Sequence, residues 1–251
     1  MSPVLQLGSI ALPTYPISLL LAFWAGLALS ARTMRRLGLD GDHMWNAGLY
    51  ALLTTIVVGR LAHVIAFWPA YNSQPLEIVG LNAQAFLWGP GVLAGLIAAA
   101  WYIHRHKLPW ATVLDAAAPG VLAGLIIANL GALLGGNGVG APADLPWAVE
   151  IWGVSRHPVQ LYAALCELTT LAVVLHALRK PSRPGTAALL GLLGWGLTTW
   201  LVEPFRAERS TIVAGIRLWQ VIGLSVARVV LWFLRRWAAT ADPSRAVEPS
   251  S

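Results

Sequence analysis

The sequence predicts an all-α integral membrane protein of seven transmembrane helices, with the amino terminus outside and the carboxyl terminus in the cytoplasm. Three observations carry this prediction. Of 251 residues, 57% are apolar and 11% are charged, against roughly 25% charged residues in an ordinary soluble domain. Seven apolar stretches approach the about 20 residues that a helix needs to cross a bilayer. Basic residues, finally, collect in every second connection between those stretches. Each stretch is read as a helix because hydrocarbon offers backbone N–H and C=O groups no partner outside their own segment.

The spans cover residues 15–30, 45–67, 86–103, 110–134, 158–178, 185–202 and 215–234. No Lys or Arg precedes the first, and Arg32, Arg35 and Arg36 follow it. That is the reverse of a signal peptide's charge order, so the span is expected to stay in the mature protein. Arg105 and Lys107 follow the third span; Arg179, Lys180 and Arg183 follow the fifth; Arg235, Arg236 and Arg245 follow the seventh. These connections hold eleven of the seventeen Lys and Arg residues. The opposite set holds Arg156 alone over 135–157, then Arg206 and Arg209, and none before Tyr15 or over 68–85. Positive charge is retained in the cytoplasm, which sets the orientation. Residues 1–237 form one domain, and 238–251, with prolines, serines and mixed charges, read as a disordered cytoplasmic tail.

The formal charge of +6 does not point to nucleic acid, because the cations stand at span ends rather than along one polar face. Cys166 is the one cysteine, which excludes an internal disulfide framework; in an apolar run it reads as a small packing residue.

An ionisable group within a membrane is expensive and usually has a partner or a function. Such groups gather toward the outer side: Arg60 and His63 in "VVGRLAHVIAF", Arg156, His157, Gln160 and Tyr162 in "SRHPVQLY", Glu203, Arg206 and Arg209 in "VEPFRAER", then Arg217 and Gln220, with Tyr15 opening the first span. A cationic, hydrogen-bonding cluster at that level suits an anionic lipid headgroup, since arginine grips phosphate bidentately. Structural readings of the same residues stand beside it. Arg60 can pair with Glu203 to join two helices, Arg206 and Arg209 can be solvated loop charges, and His63, on the same helical face as Arg60, can be a packing residue. Tyr15 and the tryptophans fit interfacial anchoring. Pro158 suits the first turn of a helix, with His157 in a cap-like position. On that helix His157 and Tyr162 are expected to face the lipid cavity, Arg156 its rim, and Gln160 a neighbouring helix as a structural hydrogen-bonding residue.

"RHPVQLY" resembles the "RHPSQLYE" element of the bacterial prolipoprotein diacylglyceryl transferases, integral inner-membrane enzymes. "VVGRLAHVIAF" resembles that family's "GGRxGYVLFY", which places Arg60 at the family arginine. "VLDAAAP" (113–119) is similar to "VADxxAP", "VEPFR" to "VEFFR" at Glu203 and Arg206, and "LWQVIGLS" to "MGQxLS" at Gln220. Tyr15 falls at the family's first-helix tyrosine. The resemblance implies a multi-pass protein of the bacterial inner membrane that moves the diacylglyceryl group of phosphatidylglycerol onto the lipobox cysteine thiol of a preprolipoprotein, releasing glycerol 1-phosphate. It implies no metal or organic cofactor. Fixed cations would stabilise the phosphate leaving group, and a base would take the thiol proton.

The chain departs from the family pattern at several polar positions. Gly89 stands where the family has a histidine, Asn129 and Thr199 where it has arginines, Ala132 where it has asparagine, and Asn137 and Ala163 where it has acids. Two readings follow. In one, the chain is a divergent transferase in which His157 or His63, with Tyr15, supplies the proton-transfer chemistry. Arg60, Arg156, Tyr162, Glu203, Arg206, Arg209 and Gln220 then form the lipid site. In the other, it is a catalytically silent lipid-binding or accessory protein, or a transferase with another acceptor. The charge alternation makes a direct prediction. In a Cys166-free variant probed in intact cells, an impermeant thiol reagent should label a cysteine introduced at position 144 and leave one at position 107 unlabelled; the reverse pattern would overturn the orientation.

Overall fold

The computed structural model describes residues 4–7, 10–72, 75–80, 85–180, 183–207, 211–213 and 216–239. Its helices are α1 (Thr14–Arg36), α2 (Asp42–Ala66), the short α3 (Trp68–Asn72), α4 (Trp88–Arg105), α5 (Trp110–Gly135), α6 (Val159–Ala177), α7 (Thr186–Val202) and α8 (Leu218–Ala239). Among the described residues six are long and apolar enough to cross a membrane: α1, α2, α5, α6, α7 with the turn that follows it, and α8. The expected span 86–103 corresponds to α4, whose 18 residues rise about 27 Å at 1.5 Å each. Apart from the end of α8, the expected tail lies outside the described residues.

The helices overrun their apolar spans where the charges are. α1 continues to Arg36, and α2 opens at Asp42 rather than at the first apolar residues. Arginines in the last turn of α1 oppose the negative end of the helix dipole, and Asp42 in the first turn of α2 opposes the positive one.

Connections 37–41, 106–109 and 178–185 define a turn end of the bundle. The other end carries connections 67–87, 136–158 and 203–217 and all the strands: β1 (Val4–Leu7) with β2 (Ile10–Pro13), β3 (Val149–Ile151) with β4 (Val154–Arg156), and β5 (Thr211–Val213) with β6 (Ile216–Arg217), each an antiparallel pair. We refer to it as the hairpin end. Trp152 and Gly153, at the tip of β3–β4, both have positive φ, as a two-residue turn matched to strand twist requires.

Packing is densest where side chains are smallest. On α1, Ser18, Ala22, Gly26 and Ser30 recur every fourth residue and form one stripe against Gly120, Gly124 and Gly131 of α5. A β-carbon on Gly26 would stand 2.8 Å from the carbonyl oxygen of Gly120, and one on Gly124 would stand 3.1 Å from that of Ala22. The two backbones therefore touch, the arrangement expected where lipid is as apolar as leucine and association rests on close van der Waals contact. Gly59 of α2 meets Gly91 of α4 in the same way, and Gly196 of α7 meets Gly223 of α8. At the turn end Ala31, Met34, Met44, Ile103, Val113 and Ala116 close a buried apolar cluster shared by α1, α2, α4 and α5.

Asp115 gives "VLDAAAP" a structural meaning. It is buried in α5, and its carboxylate accepts hydrogen bonds from the backbone N–H of Gly185 (2.6 Å) and of Ala188 (2.8 Å). A side chain of one helix thus caps the first turn of another, where N–H groups have no partner within the helix. Asp115→Ala should lower stability by about 2–3 kcal/mol, because it leaves two partly buried backbone donors unpaired. Thermal unfolding in detergent should show this, with Asp115→Asn less affected; an unchanged midpoint for Asp115→Ala would refute the cap.

Candidate functional site

The hairpin end is held by backbone hydrogen bonds that run between sequence-distant segments. Ala141 N–H donates to Phe205 O (2.7 Å) and Ala207 N–H to Val139 O (3.0 Å), while His157 N–H donates to Ala141 O (3.0 Å) and Ala143 N–H to Ser155 O (3.0 Å). Residues 139–143 are therefore threaded between the end of α7 and the start of α6, with their polar backbone satisfied on both sides. Gln160, buried at the start of α6, donates through Nε2 to Asn137 O (2.7 Å) and pins the exit of α5 to α6. Pro158 is the N-cap of α6 and is fully buried.

Around that frame stand most of the residues singled out from the sequence. His157 is half-buried: its Nδ1 lies 3.4 Å from Tyr162 Oη, and its ring centroid lies 5.0 Å from that of Phe205. Tyr162 Oη also accepts from Trp147 Nε1 at 2.9 Å. Arg156 Nη1 donates to Gly140 O (3.1 Å), and its buried Nε has no partner among the described residues. Arg206 Nε pairs with the buried Glu203 Oε2 at 3.2 Å, and Arg206 Nη1 lies 3.6 Å from where a β-carbon on Gly138 would stand. Arg217 reaches back from the start of α8 to the carbonyl oxygens of Glu203 and Arg206. Gln220 Oε1 accepts from Arg217 N–H at 3.1 Å and so fixes the start of α8. Tyr15, half-buried on α1, lies against Gly135, where a β-carbon would come within 3.0 Å of Tyr15 Cβ. Arg209 lies outside the described residues.

Arg60 and His63 form a second group. Arg60 donates from Nε to Ile78 O (3.0 Å), from Nη1 to Ala85 O (2.8 Å) and from Nη2 to Glu77 O. Its guanidinium also lies over the rings of Tyr71 and Phe86. Three of its five N–H donors thus hold the connection between α2 and α4. His63 packs on Phe67 and Tyr71, with ring centroids 4.6 and 6.2 Å away. No hydrogen-bond partner is common to Arg60 and Arg206 among the described residues, and Arg60 makes no ion pair with Glu203, whose carboxylate faces Arg206.

Deeper between α5 and α6, Asn129 Nδ2 donates to the buried Glu167 Oε2 at 2.9 Å. In the sequence the signal of this pairing is an acid standing within an apolar span.

The sequence model of the prolipoprotein diacylglyceryl transferases matches residues 3–236. The chain belongs to this family. It is 30% identical over 266 residues to the phosphatidylglycerol–prolipoprotein diacylglyceryl transferase of Verminephrobacter eiseniae, with 96% of each chain covered. To the enzyme of the same name from Polynucleobacter asymbioticus it is 30% identical over 246 residues, covering 92% of this chain and 94% of the other. For that from Thermosynechococcus vestitus the figures are 26% over 244 residues, with 92% and 91% covered. Set against the diacylglyceryl transferase motifs, Glu167 stands one turn beyond Ala163, on the same face of α6. Asn129, at the motif's arginine position, is its partner.

Gln160 and His157 should separate on mutation. Gln160→Ala removes the buried side chain that donates to Asn137 O and should lower stability by about 1 kcal/mol, read as a lower melting midpoint in detergent. An unchanged midpoint would take Gln160 out of the frame.

Proposed function

We propose that this chain moves the diacylglyceryl group of phosphatidylglycerol to the lipobox cysteine thiol of a preprolipoprotein, at the hairpin end of a seven-span bundle in the bacterial cytoplasmic membrane. The observation that carries this reading is the family match across nearly the whole chain. In it α4 is the seventh span, the hairpin end faces outward, and the turn end, which carries Arg32, Arg35, Arg36, Arg105, Lys107, Arg179 and Arg183, faces the cytoplasm.

The residues then take distinct roles. The thiol gives its proton to His157, whose ring is oriented by Tyr162 and Phe205. The thiolate sulfur bonds to the glyceryl carbon beside the phosphate, and the C–O bond breaks with its electron pair on the phosphate oxygen. Glycerol 1-phosphate leaves. Arg206, held by Glu203, and Arg156 stabilise the charge that develops on the phosphate, with Arg209 assigned to the same grip by sequence. Arg217 and Gln220 fix the backbone that carries Arg206. Arg60, with its two remaining N–H donors, and His63 form the rim on the α2 side, and Tyr15 stands at the top of α1.

A catalytically silent lipid-binding scaffold is the reading favoured by Gly89, Asn129 and Thr199, which replace a histidine and two arginines of the family motifs. Transfer of radiolabelled lipid to a lipobox peptide by purified protein separates the two. His157→Ala should lower turnover about 100-fold or more while leaving the melting midpoint near that of the parent. A His157→Ala protein that transfers at the parent rate removes His157 from the mechanism, and a parent protein that binds phosphatidylglycerol without transferring it supports the silent scaffold.

A further inference from the structure

The turn end holds a cavity of about 210 Å³ between the last turns of α1 and α6, lined by Thr33, Arg36, Leu37, Leu175, Leu178 and Arg179. We propose that this cavity is a binding site for a phosphate monoanion, either the headgroup of an anionic phospholipid or free inorganic phosphate. It is separate from the transfer site: α6 alone has 19 residues, about 28 Å of helix, between the two ends of the bundle.

Charge makes the first argument. Arg36 and Arg179 line the cavity and no acidic residue does. Neither guanidinium has a hydrogen-bond or ion-pair partner among the described residues. The C-terminal ends of α1 and α6 also point here, and each contributes roughly half a negative charge. Two full positive charges against two such halves leave about one positive charge, so neutralising the helix ends does not exhaust the arginines. Arginine is the side chain whose fork matches phosphate oxygens bidentately.

Shape makes the second. A cavity of about 210 Å³ has room for a phosphate group. Thr33 is not a competing donor, since its hydroxyl already donates to Leu29 O at 2.9 Å. Leu37, Leu175 and Leu178 supply an apolar wall beside the cations, the surface along which a lipid's chains can run. α1 and α6 are both carried by α5, so the gap between their ends is built into the bundle.

The test counts bound lipids. Purified protein in detergent is titrated with phosphatidylglycerol, and with phosphatidylcholine as the zwitterionic control, and bound lipids are counted by mass measurement of the intact complex. The parent should retain one more phosphatidylglycerol than the Arg36→Gln, Arg179→Gln double variant, or bind it about tenfold more tightly. Transfer to the lipobox peptide should stay at the parent rate in that variant. Excess inorganic phosphate that displaces the extra lipid assigns the site to the phosphate group alone; lipid that resists it assigns the site to the whole headgroup with its chains. Equal lipid counts in parent and variant, or equal retention of phosphatidylcholine, overturns the proposal. If the glutamine pair does not fold, Arg36→Lys with Arg179→Lys keeps the charge at both helix ends and loses the forks; unchanged phosphatidylglycerol binding in the lysine pair also overturns it.

Discussion

Backbone contact between α1 and α5 is the constraint from which the remaining arrangement follows. In water, two helices are driven together by the apolar surface they bury; in hydrocarbon that drive is absent, and association depends on how closely the main chains approach. Residues no larger than serine at positions 18, 22, 26 and 30 of α1 permit that approach over the middle of the helix. α5 in turn carries α6 and α7, holds the first turn of α7 through Asp115, and ends in the segment that frames the hairpin end. Any side chain at Gly26 or Gly120, alanine's included, would press on the facing backbone and push the two helices apart.

The hairpin end shows a different economy. Irregular backbone packed within a protein needs its N–H and C=O groups paired. Here residues 139–143 meet this condition by pairing with 205–207 on one side and 155–157 on the other. Side chains complete it: Gln160 serves Asn137, Arg156 serves Gly140, and Arg217 serves the turn after α7. Polar residues in this region therefore hold the fold as well as offering chemistry. Arg60 illustrates the overlap, because three of its donors are engaged by carbonyls of one connection.

Much of the architecture was legible in the sequence because bilayer thickness acts directly on composition: an apolar run of the required length is itself the element. Spans at 110–134 and 185–202 lie within a few residues of α5 and α7. Helix ends at the basic connections were less legible, since charged residues such as Arg35 continue a helix that hydropathy has already stopped counting. The site was legible as a set of residue types at one level of the membrane and illegible as a set of partners. Neither the division of Arg60 and Arg206 into separate groups nor the pairing of Asn129 with Glu167 across 38 residues leaves a local pattern. Asp115 was visible only within a motif, because its partners are main-chain groups and carry no residue signature.

The carboxylate of Asp115 also bears on how the chain between α6 and α7 can vary. The start of α7 is set by an anchor on α5, not by the number of residues that lead to it. The stretch from Arg179 to Gly185 is thereby relieved of any metering role, and slack introduced there is absorbed before the anchor. Insertions in that connection should leave the register of α7 intact, and with it the position of Glu203 and Arg206 a helix length away, whereas a slip of one residue beyond Gly185 would rotate every later side chain of α7 by about 100°.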